Sequence, residues 1–536
     1  MLKSIFGTSL SGLTFGILTT IATLSNPHPT TAQGVSPFVQ ALAEAASGDE
    51  AIATFYRDRS YDAIWTDADD ADRRQVFLTA LSHADDHGLP VARYAVPDLV
   101  QAYRSAQTEG DRGRLEVRMT RAFLDYSRDM QSGALVPSKV DSGIKREVPL
   151  HDPRSNLNQF LAGSPGVFLA GLAPQSAEYA QLVKAKLGLE AQLHAGGWGP
   201  SVDAATLGPG QSGDAVVQLR DRLIVMGYLT EASMRDYDTR IEKAVQLFQL
   251  DHGLAPDGEA DAATLAEINV GPESRLASVL VAMERQRWLN IPRGKRHIWV
   301  NLTDFTAKIV DDGKVTFVTR SVVGKDDPDR RTPEFSDMME HMVVNPSWSV
   351  PRSITVKEYL PMMQRNPNAA GHLQLLDRNG RAVSRGAVNF GAYTAANFPF
   401  AMRQAPSDGN ALGLVKFMFP NQHNIYLHDT PAKSLFDHEV RAYSHGCIRL
   451  ADPFAFAYAL LARQTDDPVN LFQSTLATGA ETLVKLDQPV PVHLVYFTAF
   501  PSVKGRMNYR RDVYGRDALI LQALIEAGVA LPDVQG

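Results

Sequence analysis

The chain has almost no cysteine: Cys447 is the only one in 536 residues. One thiol cannot close a disulfide within its own chain, so no internal disulfide framework holds this fold. Charge of one sign is not in excess either. Lys and Arg number 53 against 60 Asp and Glu, a net −7, which excludes a broad basic surface for nucleic acid. Beyond the N-terminal stretch, no apolar run is long enough to span a bilayer. No cysteine stands just after that stretch, where a lipoprotein attachment would need one.

The stretch itself reads "MLKSIFGTSLSGLTFGILTTIATLSNPHPTTAQG". Lys3 supplies a short positive start, and Ile5 to Leu24 is apolar with Gly, Ser and Thr mixed in. Thr30 and Ala32 are small residues suited to cleavage before Gln33. The pattern is that of a secretory signal over residues 1–32, with an uncleaved anchor as the alternative. The mature protein is therefore expected in the periplasm. In that compartment Cys447 is an intermolecular staple, an inert buried hydrophobe or a working thiol. Composition alone favours the inert reading.

The length implies several domains, and the pattern along the chain is that of a multidomain α+β protein. Residues 33–204 carry apolar residues at three- and four-residue spacing and read as a helical scaffold without a catalytic cluster. Residues 205–270 read as three short helices. Val216, Leu219 and Leu223 share one face, which stops at Gly227. Thr239 and Glu242 have the spacing of a capping box, ahead of inward-facing Ile241, Ala244, Val245 and Phe248. Asp261 is the expected cap of the third helix. The glycine-rich entry with "GYL", "AVQLFQ", "HGLAPDG" and "TLAEIN" resembles the three-helix peptidoglycan-binding module over Leu207 to Asn269. A structural bundle without a ligand is the alternative.

Residues 271–296 read as a linking helix. From His297 β-branched and aromatic residues dominate, with an Asp312-Gly313 turn. Residues 297–485 are expected to form a β-rich domain, and 486–536 a terminal strand and helix completing it or the scaffold. Within it, Ser353 to Leu412 is a long Gly/Asn-rich interval. Its length marks a flexible lid carrying one helix, "YLPMMQR".

The cysteine lies in "NIYLHDTPAKSLFDHEVRAYSHGCIRL". Ile425 and Leu427 alternate with polar neighbours, so a strand delivers His428 at its end. Ser444 to Cys447 reads as a tight turn, followed by a helix with Asp452 as cap and Pro453 in its first turn. A free thiol is mostly protonated at neutral pH, and a nearby imidazole can take its proton. His428 and His445 are the candidates, whereas His438 sits in a polar, surface-like stretch. Gly446 lets a substrate approach the turn, where backbone N–H groups can stabilise an oxyanion. A zinc site is disfavoured, because His428, His438, His445 and Cys447 lack the paired spacing of closed sites.

"HDTPAKSLFDHEVRAYSHGCIRL" resembles the signature of the L,D-transpeptidase catalytic domain. "VVGKDDPDRRTPEF", "NPSWSVPRSI" and "NALGLVKFMFPNQHNIYLHDTP" resemble its larger periplasmic subfamily, which combines a helical scaffold, a peptidoglycan-binding module and a capped catalytic domain. The resemblance implies a cysteine acyltransferase that joins peptidoglycan stem peptides through their third residues, using no metal or organic cofactor. Its partners are a tetrapeptide donor and a diaminopimelate amine acceptor, with other wall-synthesis proteins possible alongside. By position, Cys447 is the nucleophile and His428 its base, oriented by the carbonyl of Asp429. His445 is an accessory imidazole. Ser444 shapes the turn, and the N–H groups of Gly446 and Cys447 form the oxyanion hole. Tyr426 and Arg449 shape the substrate site; at Arg449 the family pattern sometimes has Asn. A β-sandwich-like pair of sheets is implied, with residues 353–412 as the cap. An L,D-carboxypeptidase, a lipoprotein-anchoring enzyme of the same fold and a non-catalytic wall-binding scaffold remain alternatives.

Overall fold

The computed structural model describes residues 35–531, so the expected signal segment lies outside the described residues. Residues 37–194 form packed helices whose starts are set by side chains. Asp49, Thr108, Asp152 and Ser176 each accept a backbone N–H of the first turn. The helix Glu109–Ser132 carries the buried carboxylate of Glu116. It receives the Tyr56 hydroxyl and the N–H groups of Ile64, Trp65 and Thr66, which pins that loop to the core.

Helices Asp214–Val225, Thr239–His252 and Ala262–Ile268 enclose a separate small core of Leu219, Ile241, Val245 and Phe248. The second is capped by Asp238 and not by a Thr239/Glu242 box. Asp238 has the extended backbone a cap needs and accepts the N–H groups of Arg240 and Ile241, while Thr239 is already helical. Asp261 caps the third helix by accepting from Thr264 N.

The helix Pro272–Trp288 is not a linker. It is buried along most of its length and packs into the scaffold core with Leu276, Leu280 and Trp288. Its charged residues face partners in other elements. Glu284 accepts from Leu135 N, and Arg287 donates to His87 O and Tyr179 Oη. Periodicity alone shows an apolar helix but not what covers its polar side.

The β-rich part is built on a nine-stranded sheet. It comprises β1 (Arg296–Asn301), β2 (Thr306–Asp311), β3 (Lys314–Gly324) and β4 (Phe335–Val344). After an insertion come β9 (Val415–Met418), β10 (Leu427–His428), β11 (Ala442–Ser444), β12 (Ile448–Leu450) and β13 (Thr482–Val495). The order is β11-β3-β12-β10-β9-β4-β13-β1-β2, and β2 also pairs with β3. The sheet thus closes on itself, which corrects the expected pair of sheets. The long β3 serves both ends: Lys314 to Arg320 faces β2, and Ser321 and Val322 face β12. Closure leaves few exposed edges.

The insertion is also more ordered than its composition implies. β5 (Trp348–Ser349), β6 (Gln374–Leu376), β7 (Ala382–Val383) and β8 (Ala401–Gln404) form their own four-stranded sheet. Leu360, Met363, Phe390, Phe398 and Met402 fill a core beneath it. It is a folded unit that begins at Trp348, not a loose loop from Ser353.

The C-terminal segment serves both larger parts. β13 lies between β4 and β1, whereas Phe497, Ala499, Ile520 and Leu524 pack into the scaffold core.

Candidate active site

β10 and β12 are parallel neighbours, with Leu427 level with Ile448 and His428 level with Arg449. Leu427, Ile448 and Leu450 point into the core of the closed sheet. Strand alternation places Tyr426, His428, Cys447 and Arg449 together on the opposite face. Tyr426 packs against both the core of the closed sheet and the core of the insertion, so this face lies where the two units meet.

Cys447 is half-buried. Its sulfur lies 3.5 Å from Asn424 O. Burial pushes the thiol up to about 11, against smaller opposing effects of Tyr426 and the Arg449 cation. His428 is buried, and its Nδ1 lies 2.5 Å from Asp429 O. A carbonyl can only accept, so Nδ1 carries the proton and Nε2 the lone pair. Burial, then the charge of Arg449, holds this imidazole down at about 3. At neutral pH both groups are therefore uncharged. Neither imidazole hydrogen-bonds the sulfur among the described residues.

The Asp429 carboxylate has a separate task. It accepts from Leu414 N, Thr430 N and Lys433 Nζ, fixing the loop that follows β10. Gly413 passes so close to this side chain that a Cβ would collide with it.

The turn before Cys447 is pinned at nearly every polar atom. Gly446 sits at φ +110°, and a Cβ there would meet Ile425 Cδ1 at 3.2 Å. Ser444 Oγ accepts from Gly446 N at 3.1 Å and donates to Cys447 O at 2.5 Å. Thr332 Oγ1 donates to Gly446 O at 2.8 Å. Of the two N–H groups expected to line an oxyanion hole, that of Gly446 donates to Ser444 Oγ, and that of Cys447 has no partner among the described residues.

His445 turns toward the insertion. Its Nε2 lies 2.7 Å from Glu358 Oε1, and that carboxylate oxygen also receives Arg330 Nη2 at 2.9 Å. His438 is exposed near Tyr443. Sequence reading missed Glu358 and Thr332. Glu358 meets His445 across 87 residues of chain, and no local pattern signals such a contact.

Comparisons with known proteins follow the same division. Residues 50–185 match a scaffold domain, 212–268 a "putative peptidoglycan binding domain" and 295–471 an L,D-transpeptidase catalytic domain. A Haemophilus influenzae protein described as a "putative L,D-transpeptidase" is 33% identical over 257 residues, which is 47% of this chain and 51% of that protein. The chain thus spans about half the length of this curated relative. Among solved structures, an L,D-transpeptidase from Xylanimonas cellulosilytica is 14% identical, covering 55% of this chain and 98% of its own, with a TM-score of 0.17. One from Stackebrandtia nassauensis is 16% identical, covering 55% and 96%, with a TM-score of 0.22. The β-rich part of the chain, at 295–471, thus matches the L,D-transpeptidase catalytic domain, and it follows regions that match a scaffold domain and a peptidoglycan-binding domain.

Proposed function

We propose that this chain is a periplasmic peptidoglycan L,D-transpeptidase that cross-links stem peptides through a thioester on Cys447. The observation that carries the reading is the shared face of β10 and β12. It holds a half-buried thiol, a neutral imidazole with its lone pair on Nε2, and a turn that leaves the Cys447 N–H unpaired.

Cys447 sulfur attacks the carbonyl carbon between the third and fourth residues of a tetrapeptide stem. The C–S bond forms, and the carbonyl π pair moves to oxygen, where the Cys447 N–H receives it. The thiol proton passes to His428 Nε2 and then to the leaving amine of the terminal D-Ala as the C–N bond breaks. A diaminopimelate side-chain amine then attacks the thioester. The C–N cross-link forms, the C–S bond breaks, and the amine proton returns through His428 to the sulfur. Because His428 and Cys447 are both neutral in the free protein, substrate binding must bring imidazole and sulfur together. Catalytic hydrogen bonds often tighten in this way once substrate is bound.

The module at 212–268 would hold the enzyme to the wall, and the insertion would cover the donor stem. Purified protein incubated with tetrapeptide muropeptides, with products read by mass spectrometry, tests the reading. Cross-linked dimers are expected from the wild type and none from Cys447→Ala. Tripeptide alone would indicate a carboxypeptidase, and no reaction a non-catalytic scaffold. N-terminal sequencing of the exported protein tests the location, with Gln33 the expected first residue.

A further inference from the structure

We propose that Thr332 is the positioning residue that aims the Cys447 N–H at the developing oxyanion; this rests on the acyl-transfer reading above. Thr332 is fully buried in the segment between β3 and β4. Its Oγ1 accepts from Gly324 N at 2.9 Å and donates to Gly446 O at 2.8 Å. The polarity of this relay is fixed, because an N–H can only donate and a carbonyl can only accept.

The consequence follows from peptide geometry. In a trans peptide the C=O and the next N–H point in opposite directions. Holding the Gly446 carbonyl inward on Thr332 turns the Cys447 N–H outward. That N–H has no backbone or side-chain partner among the described residues. With the Gly446 N–H committed to Ser444, one backbone donor remains at the nucleophile, and Thr332 sets its direction. Without the Thr332 hydroxyl, the peptide can rotate and leave the carbonyl where an oxyanion must form.

Thr332 is itself held from the far side. Its N–H meets Tyr514 Oη at 3.3 Å, and its carbonyl accepts from Arg516 Nη2 at 3.1 Å. Tyr514 Oη donates to Gly324 O at 2.6 Å. Gly324 is needed for the approach, since a Cβ there would meet Thr332 N at 2.7 Å. Arg516 also binds Glu334, which binds Arg285 of the buried scaffold helix. The relay thus anchors the catalytic turn to residues outside the closed sheet.

Two reagents separate this role from general damage. Iodoacetamide alkylates Cys447 by displacing iodide, a step in which no carbonyl becomes tetrahedral. p-Nitrophenyl acetate acylates it through an oxyanion, forming C–S and expelling p-nitrophenolate. In Thr332→Val the acylation rate should fall by about 100-fold while alkylation stays within about twofold of wild type. Thr332→Ser, which keeps the hydroxyl, should restore acylation. With the tetrapeptide donor, Thr332→Val should lower kcat and leave KM nearly unchanged. Should Thr332→Val not fold, Tyr514→Phe carries the test and should lower acylation selectively. Wild-type acylation by the folded variant, an equal loss in both reactions, or a wild type inert to the ester would overturn the proposal. A wild type that reacts with the ester but not with the tetrapeptide would sink the peptidoglycan reading alone.

Discussion

Cys447 keeps its proton until about pH 11 and His428 stays neutral down to about pH 3, so no thiolate–imidazolium pair is preformed. The thiolate fraction then rises with pH throughout the neutral range. Alkylation of Cys447 by iodoacetamide should therefore increase by roughly tenfold per pH unit between about pH 6 and pH 10. A plateau across that range would mean that His428 already holds the thiol proton in the free protein. His428→Ala should slow acylation by the donor stem by at least about 100-fold, within the range of general-base effects. His445→Ala should cost less, since its Nε2 is engaged with Glu358; the reverse order would exchange the roles of the two imidazoles. Gly446→Ala adds a side chain at φ +110° and against Ile425, and should cost about 1–3 kcal/mol of stability together with acylation. A melting temperature and an acylation rate equal to wild type would refute that strain. The identity of Cys447 and His428 as candidates is legible from residue types and spacing. The occupied N–H of Gly446 is not, because it depends on where the Ser444 hydroxyl turns.

At the scale of elements, the insertion is the largest departure from expectation. Its strands are two to four residues long, too short for alternation to show, and its Gly and Asn content imitates a loop. Its apolar residues are scattered in sequence and meet only in three dimensions. Native protein should therefore resist proteolysis between 353 and 412. The unit is latched to the catalytic part by Glu358 on Arg330 and His445, and by Lys357 on Asp329. Lys357 and Asp329 are well exposed, so their pair adds little, whereas Glu358 joins two partners at the edge of the site. Glu358→Ala should speed nicking in this unit and increase the rate at which iodoacetamide reaches Cys447. Unchanged rates of both would show that its apolar contacts alone hold it down.

At the scale of the whole molecule, scaffold and catalytic parts are joined through buried charge. Glu334 receives Arg285 at 2.5 Å and Arg516 at 3.1 Å, and Arg285 also reaches Asp517 at 3.2 Å. Arg285 comes from the helix Pro272–Trp288, and Arg516 and Asp517 come from the C-terminal helix Arg516–Glu526. Removing one member leaves buried cations uncompensated, so Glu334→Gln should cost about 3–5 kcal/mol, read as a lower urea midpoint. An unchanged midpoint would show that the two parts do not depend on this junction. The peptidoglycan-binding domain is docked as well. Asp251 pairs with Arg506 at 2.7 Å, and His252 stacks on Tyr509 at 5.5 Å. Recruitment to the wall would therefore place the catalytic face at a set distance from the bound strand. Deleting 212–268 should reduce co-sedimentation with insoluble peptidoglycan, and undiminished sedimentation would assign the domain a structural task.

By itself the sequence determined what is local. The helix start at Asp261, the Asp312-Gly313 turn, the strand ending at His428 and the lone thiol after a glycine all follow from neighbours a few residues apart, whereas the expected cap Asp452 turns its carboxylate to Thr319. Dihedral preferences and short-range hydrogen bonds act over that distance. Tertiary structure decided what is distant: the closure of the sheet through β3, the burial of Pro272–Trp288, the meeting of Glu358 with His445 and of Thr332 with Gly446. These contacts join residues 87 or more positions apart, or whole faces of elements, and their energy comes from burial and pairing that exist only once the chain has closed around them.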